Sequence, residues 1–374
     1  MMALETDWCD LERRTSQPFT FFQTFDWCSN WIKHGDASGQ ARPLIIVIRN
    51  TDRLIALCPL MRLPLAGGQY SACILGHPHT QYANMLIDDH APRPEVNAIF
   101  RRALRGISGV DMVELNEVPA SSRLAAALDS MARPVFTDNA TAIMNFRGLS
   151  TWEDYQASLN CSIRRGRAKR RNKLERAGDV TFDVLWPCDP GFDEAVTTVI
   201  EMKRQWIAAT GRVGTGLEGE TLSTFLAHLT GDASLRAGLV LHVLKLDNRP
   251  IAIELGIIRG DDYASFIAGF DGALNDLSPG KIQMERSFRW FLENGVVRYD
   301  FLPNPASYKA GWTNESETVV TFSIPLNMTG RLLAFVSGAA TCRRVKNLFY
   351  ALPAPIRKRI MQARQVVRRP SLGS

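Results

Sequence analysis

Apolar positions along this chain follow two rhythms, and the switches between them mark its elements. Residues 239–246, 251–258 and 263–269 are apolar runs separated by tight turns at Asp247-Asn248 and Gly260-Asp261, the pattern of an antiparallel meander. Upstream, residues 152–159, 163–177, 192–208 and 221–229 carry helical spacing, Gly178 supplies a stop, and 180–184 alternates as a short strand. Downstream, Ser278-Pro279-Gly280 opens an amphipathic helix that ends near Gly295. A buried strand, 297–302, then a short polar-aromatic helix, 308–312, follow, and 319–324 is expected to close the sheet. From Arg331 two basic helices are expected, broken at Leu352-Pro353-Ala354-Pro355.

The rhythm repeats. A shift of 196 residues sets Val47-Ile48-Arg49 on Val243-Leu244-Lys245, Arg53 on Arg249, and Ile55-Ala56 on Ile251-Ala252. Each copy is an apolar run, a polar turn and a second apolar run. Further on, Phe100-Arg101-x-x-Leu104 resembles Phe288-Arg289-x-x-Leu292, and each is followed by a glycine and a strand with an acid, Glu114 or Asp300. The shared order predicts a mixed α/β (α+β) fold in two halves of similar topology, 1–148 and 149–328, with a basic helical tail, 329–374.

Composition fits a globular protein: 45% hydrophobic and 22% charged residues, with no run approaching the ~20 apolar residues that cross a bilayer. Seven scattered cysteines without a Cys-x-x-Cys pair argue against a disulfide framework or a structural zinc. Glu5, Asp7 and Asp10 take the place of a basic-then-apolar leader, so a cytoplasmic location is expected. Charge is uneven. The net +6 divides into +10 after Glu317, where no acid occurs, and −4 over residues 1–317. A second basic run, Arg164 to Arg176, has eight cations and one Glu. Both runs favour anionic partners, and the tail adds apolar Leu348, Phe349, Ile356, Ile360 and Met361, a pattern suited to peripheral contact with the inner membrane surface or to docking on the acidic remainder of the chain.

Chemistry concentrates after residue 250. A glycine loop at a helix start presents backbone N–H groups to an anion, so Ser278, Gly280 and Lys281 form a candidate phosphate seat. The corresponding stretch of the first half, Asp88-Asp89-His90-Ala91-Pro92-Arg93-Pro94, has two carboxylates, two prolines and no glycine, which marks that half as degenerate. Asp300 and Glu254 interrupt apolar strands and are the candidate bases, with an arginine partner as the structural alternative for each. Arg164, Arg167 and Arg171 form a stripe at helical spacing that can face an anionic acceptor. Lys309 can bind a carboxylate or phosphate or be a surface charge, and Trp312 is expected to pack. Two decoys stand apart. Gly214-x-Gly216-x-x-Gly219 follows a helix rather than a strand, unlike a dinucleotide fingerprint, and His77-Pro78-His79 reads as a turn rather than a metal site.

Ser278-Pro279-Gly280, Gly295-Val296-Val297-Arg298-Tyr299-Asp300-Phe301-Leu302 and Tyr308-Lys309-Ala310-Gly311-Trp312 together resemble motifs of the CelD/BcsL-like (BioF2-like) acetyltransferases, a branch of the GNAT superfamily. Asn304 stands where that family usually has a glycine. The resemblance implies tandem GNAT-like halves and transfer of an acyl group from acetyl-CoA, without a metal, to an amine or hydroxyl of an anionic or sugar-containing acceptor. It places Tyr308 near the thioester sulfur as the acid, and it associates the chain with cell-surface polysaccharide or cellulose synthesis. A Fem-like aminoacyl transferase is the enzyme alternative, with aminoacyl-tRNA held by the basic runs. Against it, the second half lacks a long helical-hairpin arm, so a nucleic-acid partner is not expected. A non-catalytic scaffold of the same fold is the third reading.

Overall fold

A computed structural model describes residues 1–132, 134–211, 216–217, 220–303, 309 and 311–337. Helices α1 (Glu5–Arg13) and α2 (Phe25–Asn30) precede a hairpin of β1 (Arg42–Asn50) and β2 (Arg53–Pro64). Next come β3 (Tyr70–Ile74), the two-residue β4 (Leu86–Ile87), α3 (Arg93–Arg105), β5 (Met112–Pro119), α4 (Arg123–Leu128) and β6 (Phe136–Asn145). The second half opens with α5 (Trp152–Ser158), α6 (Cys161–Glu175), β7 (Val180–Leu185), α7 (Phe192–Thr210), α8 (Thr221–Ala227) and the short β8 (Gly231–Asp232). It continues through β9 (Ala237–Leu246), β10 (Arg249–Arg259), β11 (Asp262–Phe270), α9 (Pro279–Glu293), β12 (Arg298–Asp300), β13 (Glu315–Pro325) and α10 (Met328–Ser337).

Local chemistry sets the boundaries. Thr151 and Asp154 form a reciprocal capping box at the start of α5, and the Asn160 side chain caps α6. Gly191 and Gly211, both left-handed, bracket α7. The glycine-rich decoy, residues 214–219, begins three residues beyond this cap, and most of it lies outside the described residues. The His77–Pro78 bond is cis, as a tight turn permits, and His79 uses both ring nitrogens on protein partners, Trp31 Nε1 and Gly216 O, each at 2.9 Å.

All the strands join one mixed sheet, with main order β1-β2-β3-β5-β13-β6-β12-β11-β10-β9-β7. The repeated hairpins are β1/β2 and β9/β10, and each half has one parallel pair, β3 with β5 and β11 with β12. β13 does not close the sheet at an edge, as the apolar pattern suggested. It pairs with β5 of the first half, while β6 pairs with β12 of the second, and the two exchanged strands pair with each other. Each half therefore receives its last strand from the other.

Alternation along these strands builds two layers of core. One face gathers Trp8, Phe22, Trp27, Tyr82, Val199, Phe225, Ile253 and Leu302 into a cluster drawn from both halves. On the opposite face α3 and α4 cover Phe100, Leu115 and Phe322, and α5 and α9 cover Tyr155, Phe288 and Tyr299. Successive residues part accordingly: Phe301 joins the α9 side and Leu302 the shared side.

Candidate active site

The parallel pair β11/β12 is short. It has three matched positions, Asp262 with Arg298, Tyr263 with Tyr299 and Ala264 with Asp300. β12 then ends, and β11 runs on to Phe270 without β12 beside it. The β10–β11 register shifts between Leu255 and Gly256, a bulge that adds local twist and turns β11 aside. After Asp300 the chain leaves through Leu302, whose φ is +59°. The result is a wedge-shaped opening, with one strand edge of backbone amides and carbonyls along Ser265–Phe270.

α9 starts at the far end of that edge. Ser278 adopts the left-handed conformation at the N-cap and Pro279 occupies the first turn. The seat is narrower than the sequence suggested. Pro279 has no N–H, and the Lys281 and Ile282 N–H groups both reach back to Ser278 O, at 3.1 and 3.3 Å. Among the described residues none accepts from the Gly280 N–H. That donor, the helix dipole and the exposed Lys281 side chain remain for an anion. In the first half the same place is taken by the protein's own carboxylates. Asp88 pairs with Arg14 and Arg53 and accepts from the His90 N–H, and Asp89 pairs with Arg123.

Asp300 lies at the inner end of the wedge and is fully buried. Among the described residues, neither it nor Glu254 has the arginine ion-pair partner anticipated for each. Asp300 accepts from Tyr82 Oη at 2.8 Å, Thr141 Oγ1 at 2.6 Å and the Leu302 N–H at 2.8 Å. Burial raises its pKa, and those three donors act against the rise. Tyr82 comes from the first half and Thr141 from β6. Neither shows a local signal in sequence, because only the exchanged topology brings them to β12. Phe19 packs edge-on to Tyr82 at 5.2 Å with φ +62°, so two buried non-glycine residues with left-handed backbone flank this cluster. Such conformations cost ~1–3 kcal/mol each and persist where the surroundings enforce them.

Lys309 is not a surface charge. It is 5% exposed, and its Nζ donates to Phe301 O at 3.1 Å and Leu302 O at 3.3 Å. Burial pulls its pKa down to about 8, against the opposing pull of Asp300. Tyr308, expected beside it, lies outside the described residues.

Glu254 points to the opposite face, toward α9. One of its oxygens accepts from both Tyr263 Oη and Tyr299 Oη at 2.9 Å, and Gln283 and Ser265 also bond to the carboxyl group. Burial raises its pKa. Tyr263 reaches Glu254 by lying across Gly256, where an added Cβ would come within 2.1 Å of the ring. The polar chain continues inward: Gln283 Nε2 donates to Ser287 Oγ, which also meets His242 Nδ1 at 2.7 Å. Burial lowers the His242 pKa to about 3, so that ring is neutral. Ser265, half-buried, links this interior network to the start of the wedge.

The arginine stripe is divided: Arg167 and Arg171 turn inward onto the protein, which corrects the expectation for those two, while Arg164 faces out. Arg167 is 1% exposed, lies 3.8 Å over the Trp312 ring and donates to Tyr155 Oη at 2.9 Å. Arg171 pairs with Glu285 of α9, and only Arg164 is exposed, close to Cys161 Sγ. Spacing marked a real helix face, but two of its three arginines pack against the protein. Lys173 donates to Asp276 O at 2.9 Å and so ties α6 to the loop before α9. Trp312 packs, as expected, edge-on to Phe288 at 5.5 Å.

Residues 162–310 match the family described as Acetyltransf_6, acetyltransferase (GNAT) domain. Among solved structures, FemX superposes with a TM-score of 0.64 at 9% identity, over 89% of this chain and 98% of that one. The C-terminal domain (DUF2156) of a putative lysylphosphatidylglycerol synthetase from Agrobacterium fabrum gives 0.53 at 13% identity, over 87% and 94%. A conserved protein of unknown function from Bacteroides thetaiotaomicron VPI-5482 gives 0.53 at 13% identity, over 86% and 97%. No curated protein matches by sequence. At these identities the structures establish fold alone. Residues 162–310 thus match a GNAT acetyltransferase-type domain, and the fold over 89% of the chain is similar to that of FemX.

Proposed function

We propose that this protein is an acyltransferase that moves an acyl group, acetyl in the simplest case, from a coenzyme A thioester to an amine or hydroxyl. One observation carries the reading: a strand edge left open between β11 and β12 leads from the start of α9 to Asp300 and Lys309. The amide-bearing arm of the carrier suits the free edge of Ser265–Phe270, and its phosphates suit the Gly280 N–H, Ser278 and Lys281. Lys309 meets a carboxylate or phosphate of either substrate.

In the reaction the acceptor nitrogen or oxygen attacks the thioester carbon, the C–S bond breaks, and the sulfur leaves as a thiolate. One proton leaves the acceptor and one joins the sulfur. Glu254 takes the first, through the Ser265 hydroxyl; burial raises its pKa, the direction that makes it a better proton acceptor. Tyr308 supplies the second, a role that rests on the family resemblance. Asp300 holds the Leu302 N–H where the chain leaves β12 and is itself held by Tyr82 and Thr141, so it acts as a positioning residue. An acceptor from cell-surface polysaccharide or cellulose synthesis also rests on the resemblance.

Calorimetric titration of acetyl-CoA into the wild type and Gly280→Glu tests the carrier. Micromolar binding that is lost in the variant supports the proposal. The substitution is compatible with the fold, since a Cβ at Gly280 meets Phe270 at an ordinary 3.4 Å. No binding of acetyl-CoA or free coenzyme A by the wild type would overturn it. The fold shared with FemX keeps a Fem-like, aminoacyl-tRNA-dependent transfer as the second reading. Salt-sensitive binding of aminoacyl-tRNA, with none of acetyl-CoA, would favour that alternative.

A further inference from the structure

Among the described residues, α10 is fixed to the molecule along one side. Asn327 Nδ2 donates to Asp111 Oδ1 at 2.9 Å, the Leu326 N–H donates to Asp111 O at 2.9 Å, and Gly330 rests directly on that carbonyl, where any Cβ would come within 1.8 Å. Leu333 and Ala334 are half-buried on the same side. The opposite side presents Met328, Leu332 and Phe335, spaced four and three apart and 72%, 64% and 84% exposed. No other three large apolar side chains so exposed share one helix face among the described residues.

Charge identifies what this face meets. Arg331 lies on α10 beside the stripe, and residues 338–374 add nine Lys or Arg and no Asp or Glu. An apolar stripe continuous with an unrelieved cationic segment matches a surface that is oily beneath and anionic on top. A soluble acidic partner would account for the charge but not for three bare apolar side chains. The placement suits such a surface. β13 and β12 run in the same direction, since both are antiparallel to β6, and α10 follows the C-terminal end of β13 just as the wedge follows the C-terminal end of β12.

We propose that α10 and the basic segment after it dock the protein on an anionic lipid bilayer, with Met328, Leu332 and Phe335 entering the headgroup boundary. This goes beyond the acyl-transfer reading and stands whether or not that reading holds.

Co-sedimentation of the full chain with vesicles tests it, using 30% phosphatidylglycerol in phosphatidylcholine against phosphatidylcholine alone. Binding is expected only to the anionic vesicles, weakened by high salt and at least tenfold by Leu332→Asp/Phe335→Asp. A Phe335→Trp variant should show a blue-shifted emission when those vesicles are added. Unchanged near-ultraviolet circular dichroism in the double variant checks that the fold survives. Anionic binding that is insensitive to the double variant would overturn the role of the stripe. Absence of binding would overturn the proposal outright. In that case light scattering would show whether a second copy covers the stripe, and thiol labelling of Leu332→Cys, if blocked, would show that the chain's own tail does.

Discussion

The Tyr82 phenol donates to Asp300 Oδ2 at 2.8 Å across 218 residues of sequence, so a residue of the first half helps hold the acid at the wedge of the second. Tyr82→Phe leaves Asp300 with Thr141 and Leu302 as donors. The expected cost is about 1 kcal/mol of stability in urea unfolding. Under the proposed function, kcat should fall while acetyl-CoA affinity holds within twofold. Asp300→Asn should lower kcat further, because an amide cannot accept from all three donors at once. Unchanged kcat in both variants would detach this cluster from the reaction.

Lys309 gives a pH signature with a definite sign. Its folded pKa of about 8 lies below the ordinary 10.5, so between those values the unfolded chain holds a proton that the native protein has released. Its contribution to stability therefore rises as pH climbs from 8 toward 10.5, and below 8 the buried cation is a net cost on the order of 3 kcal/mol. Lys309→Met should be more stable than the wild type at pH 7, with the difference shrinking at pH 10. In the wild type, KM for an acceptor bearing a carboxylate or phosphate should increase above pH 8, and the Met variant should lose that limb.

Gly256 is required by the ring that crosses it. Gly256→Ala should destabilise the protein by roughly 1–3 kcal/mol through forced displacement of Tyr263. Combined with Tyr263→Ala, the same substitution should cost little, and this non-additivity, measured as a double-mutant cycle, distinguishes ring crowding from a backbone effect.

Two arginines on one helix should behave oppositely. Arg167→Ala removes a guanidinium stacked on Trp312 and leaves Tyr155 Oη without its donor, an expected loss of about 2–3 kcal/mol. Arg164→Ala, exposed, should fall within about 0.5 kcal/mol of the wild type. Equal effects in thermal unfolding would contradict the inward orientation of α6.

Much of this fold was legible because period and turn chemistry are local. The meander, the Ser-Pro-Gly helix and the repeated hairpins lie where apolar spacing puts them, with ends displaced by a residue or two. Strand order is not local. Nothing in the run 319–324 states that it will sit between strands of the other half, so the exchange and the approach of Tyr82 and Thr141 to Asp300 were invisible. The inward turn of Arg167 and Arg171 was hidden for a related reason: spacing defines a face, but its covering comes from Glu285, 114 residues on from Arg171, and from Trp312. Lys309 was ambiguous because a lysine between a tyrosine and an alanine gives no sign of the two carbonyls that hold it. The buried acids could be named from their apolar neighbours, yet their hydroxyl partners could not.

The crossed placement of β6 and β13 makes the covalent link between the halves almost incidental to their union. Like clasped hands, each completes its grip with the other's last finger. A chain cut between residues 146 and 151 would yield two fragments that, alone, each offer an unfinished sheet edge and an orphan strand. Made together, the fragments should find one another and purify as a one-to-one pair. A protein built this way cannot lose its first half, whatever chemistry that half carries, without unravelling the second.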